Sequence, residues 1–339
     1  MHTELVSVGP DAPDEAAITR AAAVLRRGGL VAFATETVYG LGGLALDRGA
    51  VARIFAAKGR PATNPIIVHV ADIAMARELV AEWPAAAQQL AQRFWPGPLT
   101  LVLPRRDVVP DAVTAGGSTV AVRVPSHEVA LALVRAVRAP IAAPSANRSQ
   151  RLSPTTAQHV LKQLAGRIEM VLDAGPTTGG LESTVLDLSQ ESPMLLRPGL
   201  VPLCEIEALL GEPVLLGPRL RDGEVARSPG QHQRHYAPSV PLTLCQGQSH
   251  EFVERKCETE PLVGWLALGS AASINRPNVR TIMMPDDPVE YASLLYATLH
   301  DLEEAGATSI VADAPPDLPA WQAVHDRLRR AAAGESAAR

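Results

Sequence analysis

Between Phe33 and Val70 the chain reads FATETVYGLGGLALD, then a short amphipathic stretch, then KGRPATNPIIVHV. Apolar runs of strand length give way here to polar and basic groups. Thr35, Glu36 and Thr37 follow one run, Lys58, Arg60 and Asn64 precede the next, and His69 stands near its end. Core packing does not ask for such groups at these junctions. Polar side chains that leave water need partners, and a bound ligand can supply them.

The rest of the chain carries the same alternation of helical and strand patterns. The spacing predicts a helix over Asp14–Arg27 closed by Gly28 and Gly29, a strand over Leu30–Ala34, a helix over Ala50–Lys58 and a strand over Pro65–Val70. Thr119–Val124 alternates, with Val120, Val122 and Val124 on one face and Thr119, Ala121 and Arg123 on the other. Ser153-Pro154 reads as an N-cap and first residue of a helix reaching Leu164. Gly217–Pro241 has no apolar periodicity, as a linker or a functional loop would. From Leu242 short strands and helices alternate again, which predicts a small α/β domain with a parallel sheet. The expected boundaries are a first domain over 12–212, a linker over 213–240 and a second domain over 241–339.

A length of 339 residues favours two domains. The net charge of −5 argues against a protein that coats nucleic acid by bulk charge. Cys204, Cys245 and Cys257 form no CxxC pair, which speaks against a zinc site or a disulfide framework and suits a reducing compartment. No apolar run is long enough to span a bilayer and no leader pattern opens the chain, so a cytoplasmic protein without a membrane partner is expected.

Each candidate residue admits a plain reading beside a functional one. Gly40-Leu41-Gly42-Gly43-Leu44-Ala45 fits GxGxxA after a strand, but no acidic residue lies between Asp47 and Asp72 to hold a ribose, so a tight turn is expected there instead. Lys58 is one of only three lysines among 31 basic residues. Its compact ammonium could sit on phosphate, or simply favour a helix C-terminus. Arg123 could clamp a carboxylate or phosphate, or pair with an acidic side chain. Ser145 and Asn147 stand where a strand ends, the ligand edge of an α/β sheet, yet both residue types favour turns anyway. Ser153 at a helix start could cap or help bind an anion. His69 and Ser183, taken singly, fit a satisfied core histidine and ordinary loop chemistry.

Taken together and in order, FATETVYGLG, KGRPATNPIIVH, FWPGPLTLVL, VAVRVP, APSANRSQRLSPT, GGLESTVLDL and LLRPG resemble the YrdC-like domain of threonylcarbamoyl-AMP synthases. SPGQHQRHYAP, Ser228 to Pro238, resembles the linker of the long, two-domain form of that family. Ala34 stands where the family usually has proline, and Val324-His325-Asp326-Arg327 replaces the usual Asn-Arg of the last helix. The resemblance implies a twisted mixed sheet with flanking helices, followed by a smaller Rossmann-like α/β domain. It implies that L-threonine, bicarbonate or CO2, and ATP give L-threonylcarbamoyl-AMP and pyrophosphate, for threonylcarbamoyladenosine beside the tRNA anticodon. By motif position, threonine would meet Thr37, His69, Arg123, Ala143 and Ser183. ATP would meet Lys58, Arg60, Asn64, Thr119, Ser145, Asn147, Ser153, Arg197 and Tyr236, with Lys58 and Arg60 catalytic. Mg2+ would arrive on the ATP phosphates, with no metal held by the protein itself. tRNA or the downstream threonylcarbamoyl transferase are the macromolecular partners it suggests. Gly230, His235, Tyr236 and Pro238 of the linker would form a lid. The competing classes are a double-stranded RNA-binding module, which the acidic net charge disfavours, and a carbamoyl-transfer domain of hydrogenase maturation, whose zinc-type cysteine pairs are absent.

Overall fold

Asp14 and Asp47 cap the first two helices, the second opening at Arg48, two residues before the start expected at Ala50. Each carboxylate accepts two backbone N–H groups of the opening turn, and Gly59 ends the second helix in the left-handed conformation at φ 61°. The computed structural model of the protein describes residues 2–61, 63–218, 236–269 and 274–333. The chain divides into two compact units. One comprises residues 1–149 and 153–232, and the other comprises residues 150–152 and 233–339.

The strands of the first unit are β1 (Glu4–Ser7), β2 (Val31–Phe33), β3 (Gly40–Leu44), β4 (Ile67–His69), β5 (Leu99–Pro104), β6 (Thr119–Arg123), β7 (Ile141–Ala142), β8 (Met170–Asp173), β9 (Thr184–Asp187), β10 (Met194–Arg197) and β11 (Leu215–Leu216). Its helices are α1 (Glu15–Arg26), α2 (Arg48–Lys58), α3 (Ile73–Leu79), α4 (Ala85–Phe94), α5 (Asp111–Thr114), α6 (Glu128–Val137), α7 (Ala157–Leu164) and α8 (Leu203–Leu210). The strands join in the order β1-β8-β2-β3-β7-β4-β6-β5-β9-β10-β11, a mixed sheet with parallel and antiparallel neighbours. Ala17, Ile18, Ala21, Ala22 and Leu25 of α1 and Val129, Leu133 and Val137 of α6 bury their apolar faces in one continuous core with the central strands.

Two expectations fail here. The Gly40–Ala45 segment is not a turn: Gly40–Leu44 is strand β3, paired antiparallel to β2 and to β7. Its glycines answer a shortage of space, not a left-handed backbone. A Cβ on Gly42 would lie 2.8 Å from the Phe33 ring and 3.0 Å from Ile141, and one on Gly43 would lie 3.1 Å from both Ile54 and Leu30. Ser153 is not a helix cap either. α7 begins at Ala157, and Thr156 caps it by accepting from the His159 N–H. Ser153 has another partner, described below.

The second unit contains β12 (Leu242–Cys245), α9 (Ser249–Lys256), β13 (Val263–Leu268), β14 (Val279–Met284), α10 (Pro288–Glu304), β15 (Ser309–Asp313) and α11 (Gln322–Ala331). Its sheet, β12-β15-β13-β14, is parallel throughout, as the alternation predicts. Tyr236 belongs to this unit. It is buried at φ 60°, with the Arg327 guanidinium 5.0 Å from its ring centroid and the Tyr296 ring 6.0 Å away. Gly230 and His235 lie outside the described residues, as does SPGQHQRH, the first eight residues of the linker motif.

Candidate active site

Parallel pairing of β4 with β6 sets His69 opposite Arg123, each the last residue of its strand. Both are buried, at 3% exposure. Arg123 Nε donates to Gly97 O at 3.1 Å and Nη1 donates to Thr37 Oγ1 at 3.1 Å. Thr37 Oγ1 in turn lies 2.7 Å from Thr35 Oγ1. Arg123 Nη2 stands 2.7 Å from Glu36 Oε1 without the alignment of a hydrogen bond. Burial, then the Arg123 charge, push the His69 imidazole down to about 3 against a smaller opposing effect of the Ile67 backbone, so it is neutral near pH 7.

The turn Trp95–Pro98 connects this group to the next strand. Gly97 N donates to Val124 O at 2.8 Å, and Thr184 N donates to Pro98 O at 3.0 Å, fixing the start of β9 and the end of β6 on either side of the start of β5. Ser183, just before β9, has its hydroxyl 2.8 Å from Thr100 Oγ1 and accepts from Arg197 Nη2 at 3.1 Å. An irregularity between Leu195 and Arg197 in the β9–β10 register turns Arg197 to this position, where Nε also donates to Ser183 O at 3.1 Å. Ser153 Oγ donates to Glu182 Oε1 at 2.5 Å, both residues buried.

Lys58, the last residue of α2, is 2% exposed and points back under the Pro144–Asn147 turn. Its ammonium donates to Ser145 O and Asn147 O at 2.5 Å each and lies 3.3 Å from Asn147 Oδ1, which also accepts from Ser145 Oγ at 2.5 Å. Burial, then the Arg60 charge, hold the Lys58 ammonium well below the usual lysine range. Arg60 donates to Asn64 O at 3.1 Å and Pro65 O at 2.8 Å, which folds the KGRPATNP turn onto itself. Ala143 N donates to Ile67 O at 2.9 Å, tying the start of the Pro144–Asn147 turn to β4.

The first unit therefore gathers Thr37, His69, Arg123 and Ser183 around the Gly97-Pro98 turn, and Lys58, Ser145 and Asn147 around the Pro144 turn. Thr119 lies four residues before Arg123 on β6, about 13 Å away at strand rise and on the same face. Tyr236 falls in the second unit. Sequence reasoning noted Glu36 at its strand end but assigned it no role, and did not pick out Thr100, Glu182 or the Gly97 carbonyl. Glu36 was visible as a carboxylate between two threonines at a strand end.

Residues 23–199 match a family model described as "Telomere recombination", and residues 201–333 match one described as "Threonylcarbamoyl-AMP synthase, C-terminal domain". The threonylcarbamoyl-AMP synthase of Pyrococcus abyssi is 44% identical over 329 residues, covering 94% of each chain. The chain belongs to the threonylcarbamoyl-AMP synthase family. The Bacillus subtilis threonylcarbamoyl-AMP synthase is 43% identical, covering 94% of this chain and 93% of its own. The crystal structure of P. abyssi Sua5 complexed with L-threonine superposes with a TM-score of 0.90 at 42% identity, covering 97% of this chain and 98% of the other. That likeness takes in residues of both units of this chain. Among the described residues no helix is long and apolar enough to cross a membrane.

Proposed function

We propose that this chain condenses L-threonine, bicarbonate or CO2, and ATP into L-threonylcarbamoyl-AMP and pyrophosphate, the activated group for tRNA modification beside the anticodon. The observation that carries the reading is the Thr37–Arg123 hydrogen bond on one side of the Gly97-Pro98 turn and Ser183, held by Thr100 and Arg197, on the other, with the Lys58 ammonium anchored under the Pro144 turn. Arg123 clamps the threonine carboxylate, since a guanidinium held on two sides by Gly97 and Thr37 presents its remaining edge in a fixed direction. Thr37, Ala143 and Ser183 border the amino acid, and neutral His69 keeps a second positive charge away from its ammonium. Family membership favours this synthase over an RNA-binding module.

The amine of threonine takes up CO2 to form a carbamate, whose oxygen attacks the α-phosphate as pyrophosphate leaves. Lys58 and Arg60 face the charge that grows on the phosphoryl oxygens. Ser145, Asn147, Asn64, Ser153 and Arg197 hold the nucleotide, and Thr119, at the far end of β6, matches the reach of an extended nucleotide. Positioning these reactants supplies much of the rate. The donor set here is cationic and hydroxylic, and among the described residues no group of three or more His, Cys, Asp or Glu could hold a metal ion. Such a set fits Mg2+ carried in by the triphosphate, where it neutralises phosphate charge. Pyrophosphate release should require ATP, threonine and bicarbonate together. Release that persists without threonine would overturn this function.

A further inference from the structure

Glu36 has the wrong surroundings for a structural ion pair. Its backbone is fixed: Glu36 O accepts from Gly179 N at 2.8 Å and from the Thr178 hydroxyl at 3.4 Å. Its side chain is 14% exposed, and both carboxylate oxygens are buried with no hydrogen-bond partner among the described residues. Arg123 Nη2, 2.7 Å away, is likewise buried without one. A buried pair built for stability satisfies its remaining lone pairs and N–H groups, because each one left open costs desolvation without return. Here the two charges touch while a carboxylate acceptor and a guanidinium donor are both left open, side by side.

The ligand that satisfies both at once carries its own carboxylate and its own cationic N–H on adjacent atoms, which is the zwitterionic head of an α-amino acid. We infer that Glu36 receives the α-ammonium of threonine while Arg123 takes its carboxylate, so that Glu36 is a specificity-determining residue for the amine that will be carboxylated. This rests on the threonine-dependent reaction proposed above. It also accounts for neutral His69 at the same strand end: with no second cation beside Arg123 there, the Glu36 carboxylate is free to meet the ammonium. In the absence of threonine the Glu36 carboxylate offsets the Arg123 charge, and on binding it is exchanged for the substrate's own carboxylate.

The test compares two ligands on the full chain. L-threonine and (R)-3-hydroxybutanoate share the carboxylate and hydroxyl, and only threonine has the amine. Threonine affinity is read by calorimetry and hydroxybutanoate affinity by ligand-observed NMR at millimolar concentration. In Glu36→Gln, threonine should weaken roughly tenfold to a hundredfold, the value of a hydrogen bond to a charged group, while hydroxybutanoate, whose carboxylate no longer displaces Glu36 from Arg123, holds its affinity or gains. The preference for threonine therefore collapses. Glu36→Asp, which keeps the charge on a shorter arm, should restore part of that preference. It is also the variant to use if the glutamine protein does not fold. A preference that survives in Glu36→Gln overturns the inference, whether both ligands weaken together, as a purely structural carboxylate would give, or both tighten, as a carboxylate that merely blocks Arg123 would give. Failure of the unaltered chain to bind threonine would instead strike the proposed function itself.

Discussion

At His69 the fold refuses a proton. The ring is walled in by Phe33, whose ring stands edge-on at 6.3 Å, and shares its strand end with the Arg123 guanidinium. The imidazole is neutral down to about pH 3, against about 6.5 in an unfolded chain. Below pH 6.5 the unfolded chain therefore binds a proton that the folded chain does not. Stability contributed by this residue is intact above 6.5 and is lost progressively as pH falls toward 3. Between pH 7.5 and 5.5 the unfolding free energy of the protein should drop about 1.4 kcal/mol more than that of His69→Asn, read by urea titration. Equal drops would mean that the ring takes up its proton in the fold. At this scale the sequence is an uneven guide. Arg123 could be picked out because it stands on a strand face opposite three valines. Nothing in the residue order says that Glu36 reaches the same guanidinium, since β6 is brought beside that turn only by the folded sheet. Lys58 shows the same limit. Its scarcity drew notice, but its partners, the carbonyls of Ser145 and Asn147, lie 87 and 89 residues away in sequence.

Among the elements, β3 carries the most instructive misreading. GLGGLA has the glycine spacing of a phosphate-binding turn, and propensity disfavours glycine in strands. Tertiary packing overrides both, because β3 is hemmed in on its two sides by β2 and β7 and on its faces by Phe33, Ile141, Ile54 and Leu30. Gly42→Ala puts a methyl 2.8 Å from a Phe33 ring that is fully buried and has little room to yield. The expected cost is about 1–3 kcal/mol of overpacking strain, seen as a lower urea midpoint with an unchanged slope. A neutral substitution would show that the ring moves freely. The misplaced Ser153 cap has a different cause. Ser-Pro is a sound N-terminal signal locally, and Thr156 offers an equally good one three residues on. What decides between them is Glu182, which accepts from the Ser153 hydroxyl across 29 residues of sequence. By contrast α1, α2 and the parallel sheet of the second unit were legible, because local caps and one-sided apolar faces are enough to specify them.

For the whole molecule, the division of labour between the units is the open physical question. Thr37, His69, Arg123, Ala143, Ser183 and Glu36 all belong to the first unit, which buries a core running from Val8 to Val214. The second unit has a separate core around Val253, Val263, Trp265 and Val311, and its sheet pairs only with itself. Residues 150–152 nevertheless group with the second unit, where Ala237 N donates to Gln150 O at 3.1 Å. A loop of the catalytic sequence is thus committed to the other unit, immediately between Asn147 and Ser153, two residues assigned to the nucleotide. A fragment of residues 1–218 keeps every side chain assigned to threonine and leaves Gln150–Leu152 without their partner. It should unfold cooperatively and bind threonine within about fivefold of the full chain, since a separate core of this size folds as a unit. Its KM for ATP should rise, because the loop that spaces Asn147 from Ser153 is no longer held. Calorimetry on the fragment and ATP titration of its pyrophosphate release separate the two effects. Loss of threonine binding in a fragment that still unfolds cooperatively would place part of the amino acid site outside the first unit, against the assignment made here.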